Sequence, residues 1–240
     1  MISNFTKPVP KKSYEHLVEE IQDAICEGEF QEGERLPPEL KLAELFQTSR
    51  GTVREALRVL EQKGLVKIRP GAKGGAVVQE ASTHAVSDGI GLLIRQKQVS
   101  LEGLCEFREL LEGHVAAQVA ATAQGETLRE LEEIMDKVTQ LVRGGIENWE
   151  AFNEWDAKFH RALARAGGNV LIQANLDTLH QNIHTYFTAF LKPCRIEYLD
   201  ENLETLREIY EAVRKKEPER ARNAAIDHVR LFTHHMEAHP

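Results

Sequence analysis

Cysteine is scarce in this chain. Three occur, Cys26, Cys105 and Cys194, an odd number set far apart. None of their spacings matches a zinc or redox motif, so a disulfide framework and a cysteine-held metal are excluded. Buried thiols in a reducing cytoplasm are the expectation. Long apolar runs are missing too. No stretch approaches the roughly 20 apolar residues of a membrane span, and the opening MISNFTKPVPKKSYEHL lacks the apolar core of a secretory signal. A cytoplasmic location with no membrane partner follows as an expectation. Internal repeats and low-complexity segments are absent, and no strand-like alternation follows about residue 90. An overall excess of positive charge is lacking as well. The formal net charge is −8, which by itself does not suggest a nucleic-acid binder.

What is present is the composition of an ordinary soluble globular protein, 42% hydrophobic and 28% charged, over 240 residues. That length suits two domains. The charge is unevenly spread. Residues 49–78 hold seven Lys/Arg against two acids, a net of +5, whereas residues 1–48 hold five bases and ten acids, a net of −5. The remaining chain therefore carries the whole −8. A positive field confined to thirty residues reads as an electrostatic footprint for a polyanion, against the plainer reading of a solvated face.

Those residues sit in the stretch LPPELKLAELFQTSRGTVREALRVLEQKGLVKIR, residues 36–69. Arg50, Arg54 and Arg58 are spaced by four and form one stripe of a helix. Val53, Ala56, Leu57 and Leu60 form the opposite, apolar stripe. In chain order, a loose arm over residues 1–12 precedes a helix from Tyr14 to about Glu27, with Ser13 as candidate cap and Leu17, Ile21, Ala24 and Ile25 inward. A second helix starts after Pro37 and Pro38, with Leu40, Ala43 and Leu45 or Phe46 inward. A third runs from Thr48 or Ser49 to about Lys63 and stops at Gly64. LVKIR and AVVQE then read as strands joined by the glycine-rich turn PGAKGG. Three helices and a hairpin make a winged helix-turn-helix. Its expected docking puts the arginine-bearing helix in the major groove and the basic hairpin tip on the backbone or minor groove.

The run Leu36–Val78 resembles the DNA-binding domain of the GntR superfamily of bacterial transcription regulators. The matching words are LPPE, LAELF, SRGTVREAL and LEQKGLV, followed by a glycine-rich wing. The resemblance implies that Arg50, Thr52 and Arg54 contact operator phosphates and base edges, with Arg58 further along as a phosphate or intraprotein contact. Gly71, with Pro70 and Lys73, would form the wing tip. One position departs: the family usually has an arginine after the LPxE glutamate, and this chain has Leu40.

A polar, helix-permissive linker, ASTHAVSDG, is read over 80–90, dividing a domain of residues 1–79 from one of 91–240. From about Ile90 only helical patterns follow, with Leu101, Leu104, Phe107, Leu111, Val115 and Val119 at helical spacing behind Ser100 as cap. Further helices are expected at about 125–143, 147–167, 169–192, 198–215 and 218–236, punctuated by Gly144–Gly145, Gly167–Gly168 and Pro218. The fold class is thus mainly α, a winged helix-turn-helix followed by a bundle of six or seven helices. FRELLEGHVAAQVA, WDAKFHRALARAGGN and ERARNAAIDHV resemble the FCD ligand-sensing domain of the FadR subgroup of the same superfamily.

Asp156 and His160 are four apart and share a helix face, so both can reach one cation, although many helices carry such pairs as surface contacts. The resemblance implies a divalent metal such as zinc, nickel or manganese, held by this Asp and His and two further histidines. His228 matches one, and Leu206 stands near the other. Three ligands leave room for a carboxylate effector to coordinate directly. The competing reading is a polar cluster around an organic ligand. His180 and His184 are another pair at the same spacing. They read first as surface or interface histidines. Turned inward, either could replace the missing ligand, and His184 is the candidate effector contact. The resemblance implies that Arg108 pairs with an effector carboxylate, where the plain reading is a surface pair with Glu112. His234, His235 and His239 near the end carry little weight as a metal site. The expected function is a homodimeric regulator, a repressor, binding a palindromic operator in double-stranded DNA and answering a small organic acid through the metal. The alternative is an all-helical metalloenzyme activating water at Asp156, His160 and His228.

Overall fold

A computed structural model describes residues 13–71, 74–79, 84–96, 98–187 and 197–237. The chain divides into two units, Met1–Ala85 and Val86–Pro240.

In the first unit, helix α1 (Ser13–Cys26) turns Leu17, Val18 and Ile21 inward onto α3 (Arg50–Gln62). Between them lies α2 (Glu39–Leu45), entered through Pro38, whose fixed φ suits the approach to a first turn. Seven residues give α2 one buried side only. Leu42 and Ala43 take it, with Phe46 packed beside them, so of the two alternatives Phe46 is the inward one and Leu45 is 63% exposed, while Leu40, expected inward, points outward at 56% exposed. In α3 the apolar stripe is realised in full: Val53, Ala56, Leu57 and Leu60 are all buried. Burying each larger side chain stabilises by roughly 1.5–3 kcal/mol.

The helix ends in a Schellman motif. The Leu65 N–H donates to the Leu60 carbonyl at 3.0 Å and the Gly64 N–H to the Glu61 carbonyl at 2.9 Å. Gly64 supplies the φ of +74° that this turn needs. Strands β1 (Val66–Arg69) and β2 (Gly75–Val78) pair antiparallel, from Val66 opposite Val78 to Arg69 opposite Gly75. The chain before α2 adds a short third edge: the Leu36 N–H donates to the Ala76 carbonyl at 2.9 Å and the Val78 N–H to the Glu34 carbonyl at 2.8 Å. Cys26 is exposed rather than buried, and Cys194 lies outside the described residues.

The second unit is helical: α4 (His84–Arg95), α5 (Leu101–Thr122), α6 (Gly125–Arg143), α7 (Trp149–Ala166), α8 (Val170–Phe187), α9 (Glu197–Arg214) and α10 (Pro218–Glu237). Helix α4 begins inside the stretch read as a linker. Ser100 caps α5 by accepting the Gly103 N–H at 3.0 Å. Helix α5 runs along α10, and Gly113 lets them approach: a Cβ there would lie 3.1 Å from Ile226 Cγ1. Phe152, Phe159, Leu131, Leu176, Leu199, Leu206 and Ile209 fill the core around them.

Candidate functional site

In the first unit the exposed cations gather at the start of α3 and on the hairpin. Ser49 caps the helix, its Oγ accepting the Thr52 N–H at 3.1 Å and lying 2.9 Å from Thr52 Oγ1. That cap satisfies one of the orphan N–H groups of the first turn, where Arg50 is exposed. Arg54 reaches back across the turn. Its Nε and Nη2 donate to Glu39 Oε1 and Oε2 at 3.4 and 3.0 Å, a two-point grip that sets the guanidinium against the start of α2. The hydrogen bond from Arg54 lowers the Glu39 carboxyl from its ordinary range. Arg58 lies 3.7 Å from Glu55 and stays exposed. On the hairpin Lys67 and Arg69 are exposed, and Glu61 of α3 accepts the Ile68 N–H at 2.7 Å, tying the wing to the helix. Gly71 turns the chain with φ +102°; Lys73 lies outside the described residues.

In the helical unit, side chains from α5, α7, α8, α9 and α10 build a buried polar centre with two halves. In one half, Arg108 Nε donates to Glu112 Oε1 at 2.7 Å, both residues nearly fully buried. Glu112 Oε2 lies 2.6 Å from His160 Nδ1, although it lacks an aligned donor. His180 Nε2 is 3.4 Å from Glu112 Oε1, and its ring stacks on His160 with centroids 4.8 Å apart. In the other half, His160 Nε2 faces His228 Nε2 at 3.0 Å, and Asp156 Oδ1 lies 3.5 Å from His228 Nε2 and 4.0 Å from His160 Nε2. His160 thus belongs to both groups of three possible metal ligands: Glu112, His160 and His180, and Asp156, His160 and His228.

Charge distinguishes the halves. The Glu112 half already holds its cation, the Arg108 guanidinium. Burial alone would raise the Glu112 carboxyl, but Arg108 and the two histidines hold it well below the usual range. Burial opposes charge on His160 as well, and Glu112 more than offsets it, so His160 is raised. Burial pushes His180 down to about 4 and His228 down to about 3, so both are neutral at pH 7. The Asp156 half has no guanidinium of its own and shares only His160 with the other half. Its Oδ1 is buried without a hydrogen-bond partner, facing two imidazole nitrogens that cannot both present a hydrogen across 3.0 Å. Two nitrogens and a carboxylate oxygen at these separations are a donor set that one divalent ion held at about 2 Å would satisfy.

Comparison with known proteins agrees with both halves of the chain. The family described as bacterial regulatory proteins, gntR family, matches residues 13–78, and the FCD domain matches residues 103–231. The chain belongs to the gntR family of bacterial regulators and carries an FCD domain. The HTH-type transcriptional repressor NanR of Escherichia coli is 28% identical over 233 residues, spanning 93% of this chain and 84% of that protein; NanR of Shigella flexneri matches equally. Among solved structures, Streptococcus agalactiae GntR superposes with a TM-score of 0.70 at 26% identity, over 92% of this chain and 99% of that one. E. coli McbR/YncC, 18% identical with a TM-score of 0.51, shares the fold over 95% of this chain and 98% of its own. As a gntR-family member with an FCD domain, the protein is a DNA-binding transcription regulator with a ligand-sensing domain, and the metalloenzyme alternative falls.

Within this gntR-family chain the structure places Asp156, His160 and His228 within reach of one another. Arg108 is inward, but its partner is Glu112, and the pair anticipated on the surface is buried. His180, read first as a surface residue, is buried and shares Glu112 with His160. The His184 side chain lies outside the described residues. Leu206 is fully buried in the core. Glu112 and Thr205, whose Oγ1 is 2.9 Å from His228 Nδ1, were not singled out as parts of the site.

Proposed function

We propose that the protein is an operator-binding repressor that acts as a homodimer and senses a small organic acid at a divalent metal held by Asp156, His160 and His228. The observation that carries the metal is the Asp156 half of the buried centre: a carboxylate oxygen with no partner beside two facing Nε2 atoms, next to a similar half that has its cation. Both histidines offer a nitrogen to the ion while the other nitrogen meets Glu112 or Thr205. When bound, the ion supplies a Lewis-acidic position for the carboxylate of an effector. Arg108 is a less direct partner than its cationic charge suggests, because an effector there must displace Glu112. His180 Nε2 and Asn202 Oδ1, also buried without aligned partners, are polar atoms that a bound acid or its water would satisfy.

On the DNA side, Arg50, Thr52 and Arg54 are the residues for the operator, with Arg58, Gly71 and Lys73 toward the backbone. Support comes from the exposed start of α3 and the Glu39 grip that holds Arg54 in place. Leu40, exposed at the start of α2, offers an apolar surface in place of a cation. The test is salt-dependent binding to a palindromic duplex, with metal content measured on the same preparation. Arg54→Ala should lower specific affinity about tenfold or more and flatten the salt dependence. An unchanged specific affinity would refute the role of α3. A preparation that takes up no zinc, nickel or manganese would refute the metal.

A further inference from the structure

Thr205 stands on α9, one residue before the buried Leu206. Its Oγ1 is 2.9 Å from His228 Nδ1, 2.9 Å from the Asn202 carbonyl oxygen and 3.3 Å from that of Glu201. A hydroxyl carries one hydrogen, and a main-chain carbonyl can only accept. Donation to Asn202 commits that hydrogen within the helix and leaves the oxygen lone pairs toward His228. Nδ1 then carries the imidazole hydrogen and donates it to Thr205. A neutral imidazole has one N–H, so Nε2 is left as a lone pair. That Nε2 is the atom 3.5 Å from Asp156 Oδ1 and 3.0 Å from His160 Nε2. On the opposite side, Glu112 at 2.6 Å from His160 Nδ1 favours the same tautomer there. When His160 is neutral in that tautomer, two hydrogen-free nitrogens and a carboxylate face one another, an arrangement relieved either by a hydrogen on His160 Nε2 shared with His228 or by a cation held among them.

We propose that Thr205 is a positioning residue of the metal centre: by accepting the Nδ1 hydrogen of His228 it aims the Nε2 lone pair at the ion, in a chain that has Leu206 where a fourth ligand was expected. This rests on the metal reading of Asp156, His160 and His228. Thr205 contacts His228 Nδ1 as Glu112 contacts His160 Nδ1, and acts on the ion only through His228. Outer partners of this kind typically change metal affinity by about 10–100-fold when removed. The opposite arrangement has distinct consequences. If the Thr205 hydrogen points to Nδ1, His228 carries its hydrogen on Nε2, between itself and His160, and the space for the ion is filled.

The test uses the full chain, with Zn2+ competed against a chromophoric chelator and histidine tautomers read by long-range 1H–15N correlation. Thr205→Val keeps the shape and removes the hydroxyl, and should weaken Zn2+ binding about 10–100-fold; Thr205→Ser restores an acceptor and should bind close to wild type. In the zinc-loaded wild type, His228 should be protonated at Nδ1 and bound through Nε2. That measurement needs no variant, so a Thr205→Val protein that fails to fold leaves the proposal open to refutation. Equal zinc affinity in Thr205→Val and wild type overturns it, as does a His228 protonated at Nε2 or bound through Nδ1. A wild type that binds no Zn2+ at all overturns the metal reading itself, an outcome distinct from one in which only the variant comparison fails.

Discussion

The Arg108 guanidinium is buried, and Glu112 is what makes that tolerable. Each charge alone would cost several kcal/mol to desolvate, and their 2.7 Å contact offsets most of it. Glu112→Ala strands the cation in the core and is expected to destabilise the helical unit by about 3–5 kcal/mol, read as a lower urea midpoint; an unchanged midpoint would mean that water reaches the pair. The pair was half legible. Its i, i+4 spacing is plain in the sequence, but spacing does not say which face of a helix is buried. The surrounding residues do: Leu104, Arg108, Glu112, Val115 and Val119 form one line down α5, and all are buried. Charged residues in line with a buried apolar stripe are the signal that separates this pair from a surface ion pair. His180 is similar, lying beside the fully buried Leu176 and Leu179. Thr205 gave no such signal, because its role depends on α10 bringing His228 opposite it, a contact of residues 23 apart in sequence.

Helices with a cap, a stripe and a stop were readable as elements. Helix α3 has Ser49, the Val53–Leu60 stripe and Gly64, and its observed span of Arg50–Gln62 lies within the expected one. Ser49→Ala removes the acceptor of the Thr52 N–H at the end of the helix that carries Arg50 and Arg54. It should cost about 1 kcal/mol of stability in the winged unit and weaken operator binding alongside; loss of stability with operator affinity retained would separate the cap from the positioning of the arginines. Helix α4 was readable only in its second half, where helical patterns are expected from about Ile90. HAVSDGIGLLIR carries two glycines, a serine and an aspartate, which lower helix propensity and read as a linker. Tertiary packing decides otherwise. Ile94 is buried in the helical core with Ile90 against it, and a Cβ on Gly91 would come within 2.8 Å of the Asn182 side chain. The glycine that weakens the local signal is therefore where α8 approaches. Leu40 failed for a different reason: in a seven-residue helix the apolar residues outnumber the inward positions.

At the scale of the whole molecule, the buried centre couples folding, protons and metal. His180 and His228 stay neutral in the folded state down to about 4 and about 3, whereas in the unfolded chain they protonate near 6.5. Between these values the unfolded state binds more protons, so metal-free stability falls as pH drops below about 6.5. Glu112 acts in the same direction at lower pH, since its folded-state pKa is depressed and its contribution is lost as the carboxylate is titrated. His160 acts oppositely. Its folded pKa is raised, so its contribution is complete below about 6.5 and is lost as pH rises through the folded value. Metal-free stability should therefore peak near neutral pH and fall on both sides, a curve that thermal melting across pH 4–9 checks. A plateau from pH 5 to 7 would mean that His180 and His228 are protonated in the fold. The metal should change that curve in a defined way. Binding requires His160 to give up the hydrogen on Nε2 while keeping Nδ1–H toward Glu112. Uptake near pH 7 should thus release up to about one proton per site. Calorimetric titration of the ion in two buffers of different ionisation enthalpy measures that number directly. Release that does not decline as pH rises through the His160 value would place the proton on another group.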